Sequence, residues 1–88
     1  MEISEIKKWI TEWFVNNSSI NKNFIIEKEK SNYFEEGWID SFKFVSFIMD
    51  IENNFNISFS NDEFQNRGFS TINGLSKIIS ERVNDKKI

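Results

Sequence analysis

The chain predicts an all-α fold, a small bundle of three main helices and one short one, on three observations. Apolar residues recur at spacings of three and four along most of its 88 residues. Proline is absent and glycine occurs three times, so little interrupts a helix. The one segment that alternates like a strand, Asn56-Ile57-Ser58-Phe59, has no partner strand and reads as extended loop. A chain of this length buries little more than ~60% of its unfolded surface, which is enough for one core and one domain over residues 1–88.

Ile3, Ile6, Ile10, Trp13 and Phe14 fall on one face with charged residues between them, predicting a first helix over about residues 2–15. Asn16-Asn17-Ser18-Ser19 stops it, because short polar side chains compete for backbone hydrogen bonds. A long connection follows, about residues 16–40, anchored by Ile20, Phe24, Ile25, Ile26, Tyr33 and Phe34. Its length predicts a loop pinned onto the core or one short helical turn. The second main helix should start at Asp40-Ser41, two good capping residues, and reach about Asn54. At about 100° per residue, Phe44, Phe47, Ile48, Ile51 and Phe55 share one arc, the expected core face. Phe42, Val45 and Met49 share a second, so this helix has two apolar faces. Ser60-Asn61-Asp62-Glu63 has capping-box spacing and predicts a short helix over about residues 61–66. Ser70 or Thr71 then caps a last helix with Ile72, Leu75, Ile78, Ile79 and Val83 as its buried stripe, locally weakened by Gly74, ending at about Asn84 before a frayed tail at about residues 85–88.

Composition removes most catalytic chemistry. Without histidine or cysteine there is no Ser-His-Asp or Cys-His centre, no thiolate, no zinc site of the usual ligands and no disulfide. Fourteen acidic against eleven basic residues leave a net charge of −3 with no basic stripe, which argues against nucleic acid as a partner. No apolar run reaches the ~18 residues of a membrane span. The acidic opening Met1-Glu2-Ile3-Ser4-Glu5 is unlike a secretory signal, so a soluble, cytoplasmic monomer is expected. Glu35-Glu36 reads as a solvated pair, and no catalytic or metal-ligating residue is assigned. The three tryptophans read as core or loop anchors.

The stretch Tyr33-Phe34-Glu35-Glu36-Gly37-Trp38-Ile39-Asp40-Ser41-Phe42, followed by Val45, Ile48, Ile51, Glu52 and Phe55, resembles an acyl or peptidyl carrier protein, in which an Asp-Ser-Leu opens the second helix. Phe55-Asn56-Ile57, Asp62-Glu63-Phe64 and Phe69-Ser70-Thr71-Ile72 extend the resemblance to roughly residues 2–83. The resemblance implies a four-helix carrier bundle, not an enzyme. It implies 4'-phosphopantetheine from coenzyme A joined covalently to Ser41 by a phosphopantetheinyl transferase, with Asp40 beside it. An acyl or aminoacyl group would ride as a thioester on the arm's thiol, delivered by a loading ligase and collected by acyl-transfer enzymes. Lys43 and Ser46 stand where many fatty-acid carriers are acidic, and Gly37 lies three positions before Asp40. Those features look more like D-alanyl carrier proteins and stand-alone carriers of specialised pathways.

A serine at a helix N-terminus would place its phosphate near unpaired backbone N–H groups and the positive end of the dipole. Phe42, Val45 and Met49 are then expected to form a partner-docking strip, with Phe42 half buried, rather than a further core face or a seat for the acyl chain or arm. The alternative is an unmodified helical interaction domain that offers the same face to one protein.

Overall fold

A computed structural model describes residues 2–85. Five α-helices occur among them: α1 Ile3–Ser18, α2 Lys22–Glu27, α3 Ser41–Phe55, α4 Asn61–Phe64 and α5 Ile72–Asp85, with a 3-10 turn at Arg67–Ser70 before α5. There is no strand among the described residues; Asn32 and Thr71 form one isolated bridge. The all-α expectation holds. Residues 86–88 of the expected tail lie outside the described residues, and the backbone of α5 stays helical through Asp85.

α1 runs one turn further than expected because Ser19 takes the left-handed conformation (φ 55°) that closes a helix, so the polar run Asn16–Ser18 completes the helix before it stops. The long connection combines the two alternatives expected of it, a short helix and a segment pinned onto the core. Asn21 caps α2 by accepting from the Asn23 N–H at 2.9 Å, and Ile25 is the buried residue of that helix. Beyond α2 the chain is pinned by the Tyr33 N–H on the Ser70 carbonyl (3.0 Å) and the Asn73 N–H on the Glu29 carbonyl (2.9 Å).

The core lies where α1, α3, α5 and this pinned connection meet. Phe14 is its hub, with ring centroids at 5.2 Å from Phe47, 5.4 Å from Tyr33 and 5.8 Å from Trp38. Trp13 and Trp38 are buried and Trp9 packs against the core edge, as expected of anchors. Of the expected α3 core face, Phe47, Ile48, Ile51 and Phe55 are buried. Phe44 is only partly so, wedged between Phe34 (5.0 Å) and Phe69 (6.1 Å).

Tyr33 is fully buried, and its hydroxyl donates to the Phe69 carbonyl. Desolvation pushes the phenol well above its ordinary range, because the charged phenolate is disfavoured in the core. A folded-state pKa above the unfolded one contributes stability that is complete below about pH 10 and lost as pH rises beyond it. The chain has one tyrosine, so a phenolate absorbance titration reads Tyr33 directly. Ionisation should coincide with unfolding at alkaline pH. Tyr33→Phe should abolish this tyrosine contribution to the pH dependence and cost about 1–3 kcal/mol in urea denaturation, since it leaves the Phe69 carbonyl unpaired.

Candidate functional site at the start of α3

The approach to α3 is a turn built on Gly37, whose φ of +77° an L side chain rarely adopts. The Trp38 N–H returns to the Tyr33 carbonyl (3.0 Å), and buried Trp38 and Ile39 nail the last stretch of the connection to the core. The Ser18 hydroxyl donates to the Trp38 carbonyl at 2.7 Å, tying this stretch also to the end of α1. The first residue of α3 is therefore exposed but held on a fixed base.

Two capping candidates stood side by side in the sequence, and the structure separates them. Asp40 is the N-cap: its Oδ1 accepts from the Lys43 N–H at 2.8 Å and its carbonyl from the Phe44 N–H at 2.9 Å. Ser41 is the first helical residue, exposed, with no part in the cap. Its own N–H and that of Phe42 are the donors that an α-helix leaves unpaired in its first turn. An exposed hydroxyl beside free N–H groups at the positive end of a 15-residue helix suits a phosphate ester.

The second apolar arc is exposed. Val45 is 59% and Met49 56% accessible, and Phe42 is 89% accessible, which corrects the half-buried expectation. Phe42 sits in the first turn of α3 with no neighbouring element above it, so rotation about the helix axis alone overstated its cover. Behind the strip, Phe44, Val45, Ile48, Met49 and Phe64 line an open groove of about 220 Å3 without a polar group. Phe64, from α4, and Phe44 and Ile48, from the edge of the core face, were not in the expected strip. Helical-wheel arithmetic treats α3 alone and cannot place α4 against it.

The two acidic residues of α3 each accept a hydrogen bond from another part of the fold, although Asp50 is exposed and Glu52 partly so. Asp50 Oδ2 accepts from the Trp13 indole N–H at 2.8 Å, and Glu52 Oε2 accepts from the Phe59 N–H at 2.9 Å. Phe42, Val45 and Met49 form an apolar exposed strip on α3, with the exposed Asp50 carboxylate next to Met49 in the sequence. Lys43 is engaged too: its ammonium donates to the Asn17 carbonyl at 2.6 Å, across 26 residues of sequence, at the end of a helix with no basic residue in its last turn.

No acidic, histidine or cysteine cluster able to hold a metal occurs among the described residues. No helix among them is long and apolar enough to cross a membrane. No curated protein and no solved structure matches the chain. A family model described as the phosphopantetheine attachment site matches residues 25–79, a stretch running from α2 into α5 with the start of α3 inside it. The chain belongs to that phosphopantetheine-attachment family, whose domains are non-catalytic carriers that bear 4'-phosphopantetheine covalently and work with a phosphopantetheinyl transferase and biosynthetic enzymes.

Proposed function

We propose that residues 1–88 form one acyl-carrier domain, acting as a cytoplasmic monomer and armed at Ser41. One observation carries the choice of residue: within the matched segment, Ser41 is an exposed hydroxyl on the first residue of a long helix whose cap is supplied by its neighbour Asp40. In the arming step Ser41 Oγ forms the bond to phosphorus, the pyrophosphate linkage of coenzyme A breaks, the adenosine bisphosphate half leaves, and the hydroxyl proton passes to the transferase. Asp40 holds the first turn and keeps the serine clear of the capping role. The arm supplies a terminal thiol, which this cysteine-free chain lacks, for an acyl or aminoacyl thioester.

A loading ligase and an acyl-transfer enzyme of a specialised pathway are the expected partners beyond the transferase. The exposure of Phe42, Val45 and Met49, with Lys43 and Ser46 also exposed on α3, supports a docking face on which apolar contact outweighs acidic recognition. Incubation with coenzyme A and a broad-specificity phosphopantetheinyl transferase should add the mass of one phosphopantetheinyl group. If several competent transferases add nothing, the unmodified interaction domain is the better reading.

The docking role has its own test. Met49→Ala should change stability by no more than about 0.5 kcal/mol, since an exposed side chain leaves no cavity, while transferase or ligase turnover slows several-fold. A loss of about 2–5 kcal/mol with normal turnover would mark Met49 as core instead. Urea denaturation paired with loading kinetics separates the two.

A further inference from the structure

Lys43 is the unexplained charge beside the site. Together with Ser18, Gly37, Trp38, Ile39 and Asp40 it lines an open depression of about 330 Å3 on the approach to Ser41. Its ammonium rests on the Asn17 carbonyl and enters no ion pair among the described residues. The site changes sharply in charge when a phosphodiester forms on Ser41. A second negative charge then stands next to the Asp40 carboxylate, and the fixed donors at hand are the N–H groups of Ser41 and Phe42. The Asp40 Oδ1 and the Lys43 N–H are already paired with each other. Lys43, two residues on, is the cation nearest to Ser41 in the sequence and carries its charge on a flexible four-carbon stem. Its present acceptor is a neutral carbonyl, and a phosphodiester anion is the stronger acceptor for an ammonium.

Resting on the reading of Ser41 as the attachment residue, we propose that Lys43 is a positioning residue for the arm, its ammonium leaving the Asn17 carbonyl for the phosphodiester, so that arming loosens the last turn of α1. The apo and armed forms then differ at Asn17–Ser19 as well as at Ser41. That gives partner enzymes a second place at which to distinguish the two forms. Ser18 holds the Trp38 carbonyl, so the same turn is mechanically joined to the approach to Ser41.

The test compares wild type, Lys43→Met and Lys43→Arg, each before and after arming with coenzyme A and transferase, with intact and peptide-level mass locating the group. Amide hydrogen exchange at residues 16–19 should quicken several-fold when wild type is armed. In Lys43→Met it should be fast already and unchanged by arming. The phosphorus resonance of armed wild type should shift on adding salt and differ from that of Lys43→Met, with Lys43→Arg restoring the wild-type position. Unchanged exchange in wild type on arming, or a phosphorus resonance indifferent to Lys43→Met, overturns the proposal. Should Lys43→Met fail to fold, the wild-type exchange comparison decides alone. A group found on another residue, or none, overturns the Ser41 reading and this proposal with it, and the mass measurement distinguishes that outcome from the failure of the Lys43 role.

Discussion

Gly74→Ala should destabilise the domain by about 3 kcal/mol or more, although helix propensity alone says the opposite. Alanine inside a helix is worth about 1 kcal/mol over glycine, and on that ground the substitution would stabilise α5. A Cβ at residue 74, however, would lie 2.2 Å from the Gly68 carbonyl oxygen and 2.5 Å from the Gly68 Cα. Carbon contacts settle near 3.5 Å, so backbone would have to move by about 1 Å, and no flexible side chain can absorb that shift. The displaced element is the 3-10 turn, which carries Phe69. The Tyr33 hydroxyl bonds the Phe69 carbonyl and the Phe69 ring faces Phe44, so the strain reaches the base of α3. Overpacking penalties of about 1–3 kcal/mol, occasionally more, refer to side chains, and a clash between two main chains belongs at the upper end. For a domain of this size the melting temperature should fall by at least about 12 °C. Gly37→Ala serves as the contrast: its Cβ meets open space, and it should cost only the roughly 1–2 kcal/mol of a left-handed backbone. An unchanged or raised melting temperature for Gly74→Ala would mean that the 3-10 turn yields freely.

Ser41→Ala should abolish arming entirely while leaving the fold as it is. The side chain removed is exposed and does not cap α3, and alanine is the best helix former, so stability should stay within about 0.5 kcal/mol of wild type. The cap remains because Asp40 Oδ1 still accepts the Lys43 N–H. Asp40→Ala should do the reverse in part, costing about 1 kcal/mol of stability while leaving the Ser41 hydroxyl in place. Circular dichroism with intact mass distinguishes these outcomes in a single preparation of each variant.

Local signals in the sequence located the elements that local chemistry controls. The start of α3 was legible because Asp40 and Ser41 precede a stretch, residues 42–55, that no glycine or proline interrupts. The short helix α4 was legible because Ser60 and Glu63 form both halves of a capping box, at 3.3 and 2.8 Å. The two faces of α3 followed from its period. Features that depend on chain segments far apart were not legible. The 3-10 turn at Arg67–Ser70 packs against α5, and its sequence Arg-Gly-Phe-Ser carries no period. Gly74 reads as a weakness in the sequence because its close approach to Gly68 comes from a segment outside its own helix. The bond from the Lys43 ammonium to the Asn17 carbonyl spans two helices, and Phe64 joins the groove only through the placement of α4.

Site-localised mass spectrometry of the armed wild-type protein decides whether the phosphopantetheine of this carrier sits on Ser41. After incubation with coenzyme A and transferase, proteolysis and fragmentation should place one phosphopantetheinyl group on Ser41, with Ser46, Ser58, Ser60 and every other serine unmodified. A group localised to a different residue, or a Ser41→Ala protein that still takes up the full mass increment, would contradict the account.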